Sequence, residues 1–337
     1  MNKNEFKKMN KTKIILLVVF ILFLLVCIGL MAFLHSKLNR INRIDTDNIE
    51  IVAPEDETFE TDDGLVVEET EEEEDVIWNN VDMSIMRDEN VHNILLIGQD
   101  RRAGEGRQRS DTMIICSINK NNGKLILTSL MRDMYVPIPG YSDNRINAAY
   151  QFGGMPLLNE VIEKCFGIQI DGNVEVDFDG FIEALTYIGD LNIELYQEEA
   201  DYLNRGTKWN LKAGVNALTP EQALKYSRLR KVGNSDWERT DRQRRVIMAA
   251  LDNVKGMGFM ELVELADKVL PCVTTDMSNS EIFGYIYTVI VHNVTSLESH
   301  RIPVDDTYEA KTIRGMQVLV PNLAENSRYL KLYIYNK

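Results

Sequence analysis

Cysteine and histidine are both scarce in this 337-residue chain, with four of each. Cys27, Cys116, Cys165 and Cys272 are too few and too widely spaced to staple a small fold. There is no CxxC, no spaced pair of histidines and no HExxH, so the usual zinc sites are excluded. Positive charge is missing from one long stretch: Asp45 to Glu89 holds 19 acidic residues and one basic residue, Arg87. Residues 90–337 are nearly balanced, with 28 basic and 32 acidic side chains, so the basic footprint of a nucleic-acid binder is absent. Apolar residues are not lacking. At 45% of the chain they are enough to bury a core, which excludes bulk disorder.

One apolar run stands apart from the rest. Ile14 to Leu34 is 21 residues without a charge. As a helix it would extend roughly 31 Å, close to the hydrocarbon thickness of a bilayer. It is longer than a signal-peptide core and no small-x-small cleavage site follows, so the expectation is an uncleaved transmembrane anchor. Lys3, Lys7, Lys8, Lys11 and Lys13 precede it; Lys37, Arg40 and Arg43 follow it. That bias favours the N-terminus inside and the body outside the cytoplasmic membrane. The expected organisation is a basic tail (1–13), an anchor (14–34), an acidic disordered spacer (35–89) and one domain (90–337). The run Glu68–Asp75 repels itself and should stay extended and solvated.

In the body, His92–Ile97, Asp111–Ile118 and Lys124–Leu130 read as strands, the last two separated by the turn Asn121-Asn122-Gly123. Leu157–Phe166 has helical spacing and stops at Gly167. Val174–Val176 reads as a strand and Phe178–Ile188 as a helix closed by Gly189. Thr219 caps a helix with Pro220 at its first position and Gln222 at its third. Arg239–Val254, Phe259–Val269 and Ser280–His292 are further helices, Leu297–Pro303 is a strand, and Pro321–Leu330 ends in a helix. Strands and helices interleave, which predicts an α/β domain whose sheet is sandwiched by helices.

The charged residues with chemical potential lie beside these elements. Gly98-Gln99-Asp100 closes the first strand and Arg109-Ser110-Asp111-Thr112 opens the second. Two aspartates framing a loop of Gly and Arg can hold Mg²⁺ near phosphate oxygens. Equally, Asp100 can cap a turn and Asp111 can start a strand as a surface residue. Met131-Arg132-Asp133 follows the third strand. Arg228 and Arg230 would point to opposite sides of a continuous helix, so a shared ligand requires the helix from Thr219 to break before Arg228. Arg239, Arg242 and Gln243 share one helical face, and the first turns of a helix favour an anion. Arginine forks match phosphate oxygens bidentately. Arg244 and Arg245 suit a salt-bridged surface helix.

These motifs together resemble the LytR-CpsA-Psr family. The residues that carry the resemblance are Ile94–Asp100, Arg109–Asn119, Ser129–Gly140, Arg145–Gly154, Leu218–Lys231 and Asp236–Ile247, in the family's order and at near-family spacing. The resemblance implies a three-layer αβα sandwich with a central mixed sheet and a deep groove for a polyprenyl lipid. It implies a cell-wall phosphotransferase that moves an anionic glycopolymer, such as teichoic acid or capsule, from undecaprenyl pyrophosphate to peptidoglycan. By position, Asp100 and Asp111 match the family's Mg²⁺ carboxylates. Arg132 matches the arginine of its Pro-Arg-Asp motif. Arg228, Arg230 and Arg239 match its pyrophosphate-binding arginines, with Gln243 beside them. Asp236 matches the aspartate of its Asp-Phe-Gly-Arg motif. The chain departs from the pattern at Gln99, Met131, Trp237 and Glu238.

On this reading Arg132, Arg228, Arg230 and Arg239 stabilise charge as the bridging oxygen leaves, and Asp133 or Asp236 takes the acceptor proton. Helices Leu157–Phe166, Phe178–Ile188 and Ser280–His292 are candidates to line the lipid groove. Three rival classes make different predictions. A membrane-anchored transcriptional regulator needs a basic cytoplasmic body. A glycan-binding module would not depend on Asp100 or Asp111. A polyprenyl-pyrophosphate hydrolase uses the same site with water as acceptor.

Overall fold

The computed structural model describes residues 32–60, 66–67, 76–78, 83–99, 106–233, 235–294 and 296–336. A mixed sheet of seven strands forms the centre: β1 (Asn42–Arg43), β2 (Val91–Gln99), β3 (Ser110–Asn119), β4 (Lys124–Leu130), β5 (Gly172–Asp177), β6 (Val273–Thr275) and β7 (Ser296–Ile302). Their spatial order is β1-β6-β5-β2-β3-β4-β7. The pairs β1/β6, β5/β2 and β4/β7 are parallel; β6/β5, β2/β3 and β3/β4 are antiparallel. The α/β class and the mixed sheet agree with the expectation from the sequence.

Besides the helical residues 32–38, the described residues form eight helices in chain order: α1 (Ile146–Phe166), α2 (Phe178–Ile188), α3 (Gln197–Asn204), α4 (Pro220–Ser227), α5 (Ser235–Lys255), α6 (Phe259–Val269), α7 (Asn279–Val291) and α8 (Leu323–Tyr335). Helices α1 and α8 cover one face of the sheet, and α2, α4 and α5 cover the other. The larger core lies under α1 and α8, where Leu95, Ile115, Leu158, Ile162 and Leu330 are sealed from solvent. Helix α1 begins eleven residues before the expected Leu157, because two helical segments join at Gly154, which has φ 63°. The spacing rule sees only the segment after Pro156, since proline is a normal first residue of a helix.

Among the described residues four antiparallel pairs of strands escape the sequence reading. They are Leu191–Leu195 with Gly214–Leu218, Tyr308–Ile313 with Met316–Pro321, Tyr135–Val136 with Asn144–Arg145, and, within the expected spacer, Phe59–Glu60 with Val66–Val67. The first two flank polar, exposed positions and so lack the continuous apolar runs of β2 to β4.

The N-terminal part of the expected spacer is a correction. Residues 35–60 lie on the domain rather than away from it. Lys37 pairs with Asp267 at 2.6 Å, β1 joins the sheet edge, and Phe59 is fully buried. Val52 N donates to Phe152 O at 2.9 Å, and Ser142 Oγ donates to Glu57 at 2.6 Å. The acidic average hides Leu38, Ile41 and Phe59, whose burial favours docking. The run Glu68–Asp75 and almost all of the expected anchor, 14–31, lie outside the described residues. Among the described residues no helix is long and apolar enough to cross a membrane.

Candidate active site

A cavity of about 640 Å³ opens between the sheet and the helices α2, α4 and α5. Its walls divide by chemistry. Leu96, Ile114, Val174, Val176, Phe181, Leu224 and Ile247 make an apolar part; Asp111, Arg132, Arg228, Arg230, Arg239 and Gln243 make a polar one.

The strands reach the cavity through their alternation. On β2, Leu96 and Gly98 turn to the cavity, which the buried Ile97 and Gln99 also border, while Leu95 belongs to the core alone; on β5, Val174 and Val176 line the cavity and Glu175 does not. Gly98 lies close against the next strand: a Cβ there would be 3.1 Å from Thr112 Cβ, so Thr112 would have to give way by a few tenths of an ångström. Register places Gly98 opposite Thr112 and Gln99 opposite Ser110, so Asp111 is the extra residue of a β-bulge. The bulge aims both Asp111 and Thr112 into the cavity, a common use of bulges beside functional sites.

Helix α4 delivers two arginines by ending where the chemistry needs it to. Thr219 Oγ accepts from Gln222 N, and Gln222 Oε1 accepts from Thr219 N at 2.9 Å. The helix stops at Ser227, and Arg228 is its C-cap. Beyond it Leu229 is buried while Arg228 and Arg230 both line the cavity, as the expected break requires. Arg242 holds this turn from beneath. Its guanidinium donates to Leu229 O at 2.8 Å and Val232 O at 3.2 Å, and pairs with Glu199 at 2.7 Å and Glu238 at 2.5 Å. Arg242 and Glu199 are both sealed from solvent. Arg239 and Gln243 point into the cavity and Arg242 does not. The helical-face argument grouped the three; only the tertiary packing separates them.

Charge converges on Asp111. Arg132 donates to its Oδ1 at 2.5 Å, Arg230 lies 3.9 Å from the same oxygen, and Arg239 donates to Asp111 O at 3.4 Å. Burial pushes the Asp111 carboxyl up, but Arg132, Arg239 and Arg230 outweigh it and hold the group below its ordinary value. Asp133 does not border the cavity. Its carboxylate sits 3.5 Å from both Arg132 Nε and Arg145 Nε, and its carbonyl accepts from Leu319 N at 2.9 Å. Asp100 and the side chain of Asp236 lie outside the described residues.

Two further expectations change. Arg244 is not a surface residue: it is buried and donates to Ser129 Oγ at 2.7 Å and Ser299 Oγ at 2.5 Å, tying α5 to β4 and β7. Burial lowers its pKa to about 10. Of the three helices considered for the lipid groove, α2 contributes Phe181, whereas α1 packs on the opposite face and no residue of α7 borders the cavity.

Comparison with known proteins bears on this arrangement. A profile of the LytR_cpsA_psr family matches residues 59–331. The chain belongs to that family. It is 33% identical over 224 residues to the polyisoprenyl-teichoic acid–peptidoglycan teichoic acid transferase TagU of Oceanobacillus iheyensis, covering 64% of this chain and 68% of TagU. It is 30% identical over 197 residues to the transferase TagV of Bacillus subtilis, covering 56% of this chain and 50% of TagV. The regulatory protein MsrR of Staphylococcus aureus is 29% identical over 217 residues, 64% of this chain and 65% of MsrR. The chain therefore spans between half and about two-thirds of the length of these curated relatives. Crystal structures share the fold. B. subtilis TagV superposes with a TM-score of 0.57 at 26% identity, covering 74% of this chain and 98% of that one. B. subtilis TagT superposes with a TM-score of 0.60 at 22% identity, covering 76% and 97%.

Proposed function

We infer that this family member is a transferase that moves an anionic glycopolymer from an undecaprenyl-pyrophosphate donor to peptidoglycan. The observation that carries the reading is one cavity whose lining joins apolar side chains to four arginines, three of which, Arg132, Arg230 and Arg239, meet at Asp111. A polyprenyl pyrophosphate has the same division: an apolar tail that needs burial and a diphosphate that needs cationic forks. The relatives TagU and TagV, named as teichoic acid transferases, support the same reaction class. The reading includes an anchor at 14–34 and a body outside the cytoplasmic membrane, supported by the uncharged length of that run and its basic flank.

In the reaction, the acceptor hydroxyl oxygen bonds to the phosphorus that carries the sugar. The bridging P–O bond breaks, and undecaprenyl phosphate leaves with the electron pair. Arg132, Arg228, Arg230 and Arg239 bind the diphosphate and neutralise charge that builds on the leaving oxygens. Asp133 holds Arg132 and acts as a positioning residue. Asp236, in the first turn of α5, is the group we propose accepts the hydroxyl proton.

The donor set suits Mg²⁺, which favours one or two carboxylates completed by phosphate oxygens. Asp111 is held ionised in the cavity, and both arginine contacts to its carboxylate are on Oδ1. Among the described residues no group of three or more acidic, His or Cys side chains forms a cage. Asp111, with Asp100, would hold the ion, which when bound supplies further charge neutralisation at the diphosphate.

The test uses the full chain in nanodiscs, with a labelled undecaprenyl-pyrophosphate saccharide, peptidoglycan oligomers and Mg²⁺. Label should join peptidoglycan, and Asp111→Ala or a chelator should abolish the transfer. Release of free saccharide phosphate without transfer would make the protein a hydrolase. Metal-independent binding without turnover would make it a binding module.

A further inference from the structure

Helix α7 is out of place in water. Residues 282–291, Ile-Phe-Gly-Tyr-Ile-Tyr-Thr-Val-Ile-Val, carry no charge, yet Thr288 is the one buried residue of the helix. Ile286, Tyr287, Ile290 and Val291 are between 47% and 71% exposed. A helix that is apolar on most sides is normally enclosed by protein or by lipid. Among the described residues nothing encloses this one, and it does not line the cavity. At 13 residues, or roughly 20 Å, it is too short to span a bilayer but suits one that lies in the interface.

The chain shows which surface covers it. The uncharged run of the expected anchor ends at Leu34, and residues 32–38 are helical. The next residues are fastened at once to α6 and to the start of α7. Lys37 pairs with Asp267 of α6 at 2.6 Å. Asn279, the first residue of α7, donates to Asn39 Oδ1 at 2.6 Å, lies 3.2 Å from His35 Nδ1, and accepts from Arg43. His35 directly follows the last residue of the run, so the start of α7 lies at the level where the anchor would leave the bilayer. There is no length of chain between them in which the body can stand off the membrane.

We propose that α7 lies on the bilayer surface and seats the body there, with Ile286, Tyr287, Ile290 and Val291 in the lipid interface. The proposal rests on the anchor reading given above. Tyr287 suits the headgroup level, where the tyrosine ring meets both phases. The seat also faces the substrate in a useful way. The rings of His92 and Tyr285 pack tilted, with centroids 5.1 Å apart, and His92 shares its side of β2 with Leu96 and Gly98, which line the cavity. The cavity and α7 are thus on the same face of the sheet, so a membrane-embedded donor can deliver its tail without crossing water.

The test is carried out on the full chain in liposomes whose lipids carry brominated acyl chains. Ile290→Trp places a reporter on the exposed side of α7, and Val215→Trp places one on the exposed hairpin Leu191–Leu195/Gly214–Leu218. Emission of the unsubstituted chain, with its three tryptophans, is subtracted. The emission added by Ile290→Trp should be quenched several-fold more than that added by Val215→Trp. Alkaline carbonate washing separates the two readings. A chain washed off the liposomes overturns the anchor and the seat together. A chain that stays, with Ile290→Trp quenched no more than Val215→Trp, overturns the seat alone. If that unquenched chain also behaves as a dimer, the face belongs to a second copy. Ile286→Glu/Ile290→Glu, at exposed positions, should fold normally but lose activity on membrane-embedded donor, with activity on a short-chain soluble donor retained; equal loss on both would count against the seat.

Discussion

The two faces of the central sheet solve opposite problems with neighbouring residues. On β2, Leu95 is sealed under α1, and one step along the strand Leu96 borders an open cavity. The solid face is closed by aliphatic side chains of α1 and α8 that interdigitate with the strands. The hollow face is roofed by α2, α4 and α5, and the last two, with the turn after α4, bring Arg228, Arg230 and Arg239 inward. Guanidinium groups cannot be stripped of water against aliphatic neighbours without large cost, so a face that gathers them stays open for an anion. Apolar residues of the central sheet on that face line the cavity, while a second core with Leu185, Ala223, Tyr226 and Val246 packs α2, α4 and α5 together above it.

Four measurements would break or sharpen this contrast, in descending order of expected effect. Glu199→Ala should cost about 3–5 kcal/mol of folding stability in urea unfolding, because it removes the sealed carboxylate opposite Arg242 and leaves the half-exposed Glu238 as the remaining counter-charge of a buried guanidinium. It should also slow transfer, since Arg242 supports the turn carrying Arg228 and Arg230. On the solid face, Leu95→Ala should cost about 2–5 kcal/mol, whereas Val176→Ala on the hollow face should cost less than about 1 kcal/mol. Equal costs would mean that the cavity closes in solution. Arg239→Ala should lower turnover by about 100-fold, equivalent to about 2.7 kcal/mol of barrier.

The smallest effect concerns pH. Asp111 has a lowered pKa in the folded chain, so the stability from its arginine contacts is present above the unfolded value. It is lost only as pH falls through the lowered folded value. The acid limb assigned to Asp111 should therefore lie below about pH 4 in titration by NMR. Arg239→Ala should move that limb upward, because Arg239 is one of the charges that hold it down.

Much of the machinery was legible along the chain because it depends on near neighbours. Lys124–Leu130, Phe178–Ile188 and Phe259–Val269 have the bounds that alternation, helical spacing and the flanking turn residues predict. The Thr219 cap and the break before Arg228 are local too: one follows from a side chain reaching three residues ahead, the other from what two arginines need in order to share a ligand. The bulge at Asp111 was not legible. It arises from a mismatch of register between β2 and β3, and nothing in residues 109–112 announces it. The burial of Arg244 depends on Ser129 and Ser299, far away in sequence. The docking of residues 35–60 was concealed by a charge average that outweighed three apolar anchors.

By itself the sequence determined the order and type of the main elements, where α4 starts and stops, and which residue types were available for binding a phosphate. Those properties come from backbone sterics, capping hydrogen bonds and apolar spacing, all of which act over a few residues. Tertiary structure decided which of these residues meet. Asp111 and Arg239 are 128 positions apart, yet their contact, with Arg132 and Arg230 beside them, makes the polar end of the cavity. It also decided that Arg242 supports the site from beneath while Arg239 and Gln243 enter it, and that α7 is left without protein cover. No local energy couples such distant positions; strand register and helix packing do, and they are set by the whole core at once.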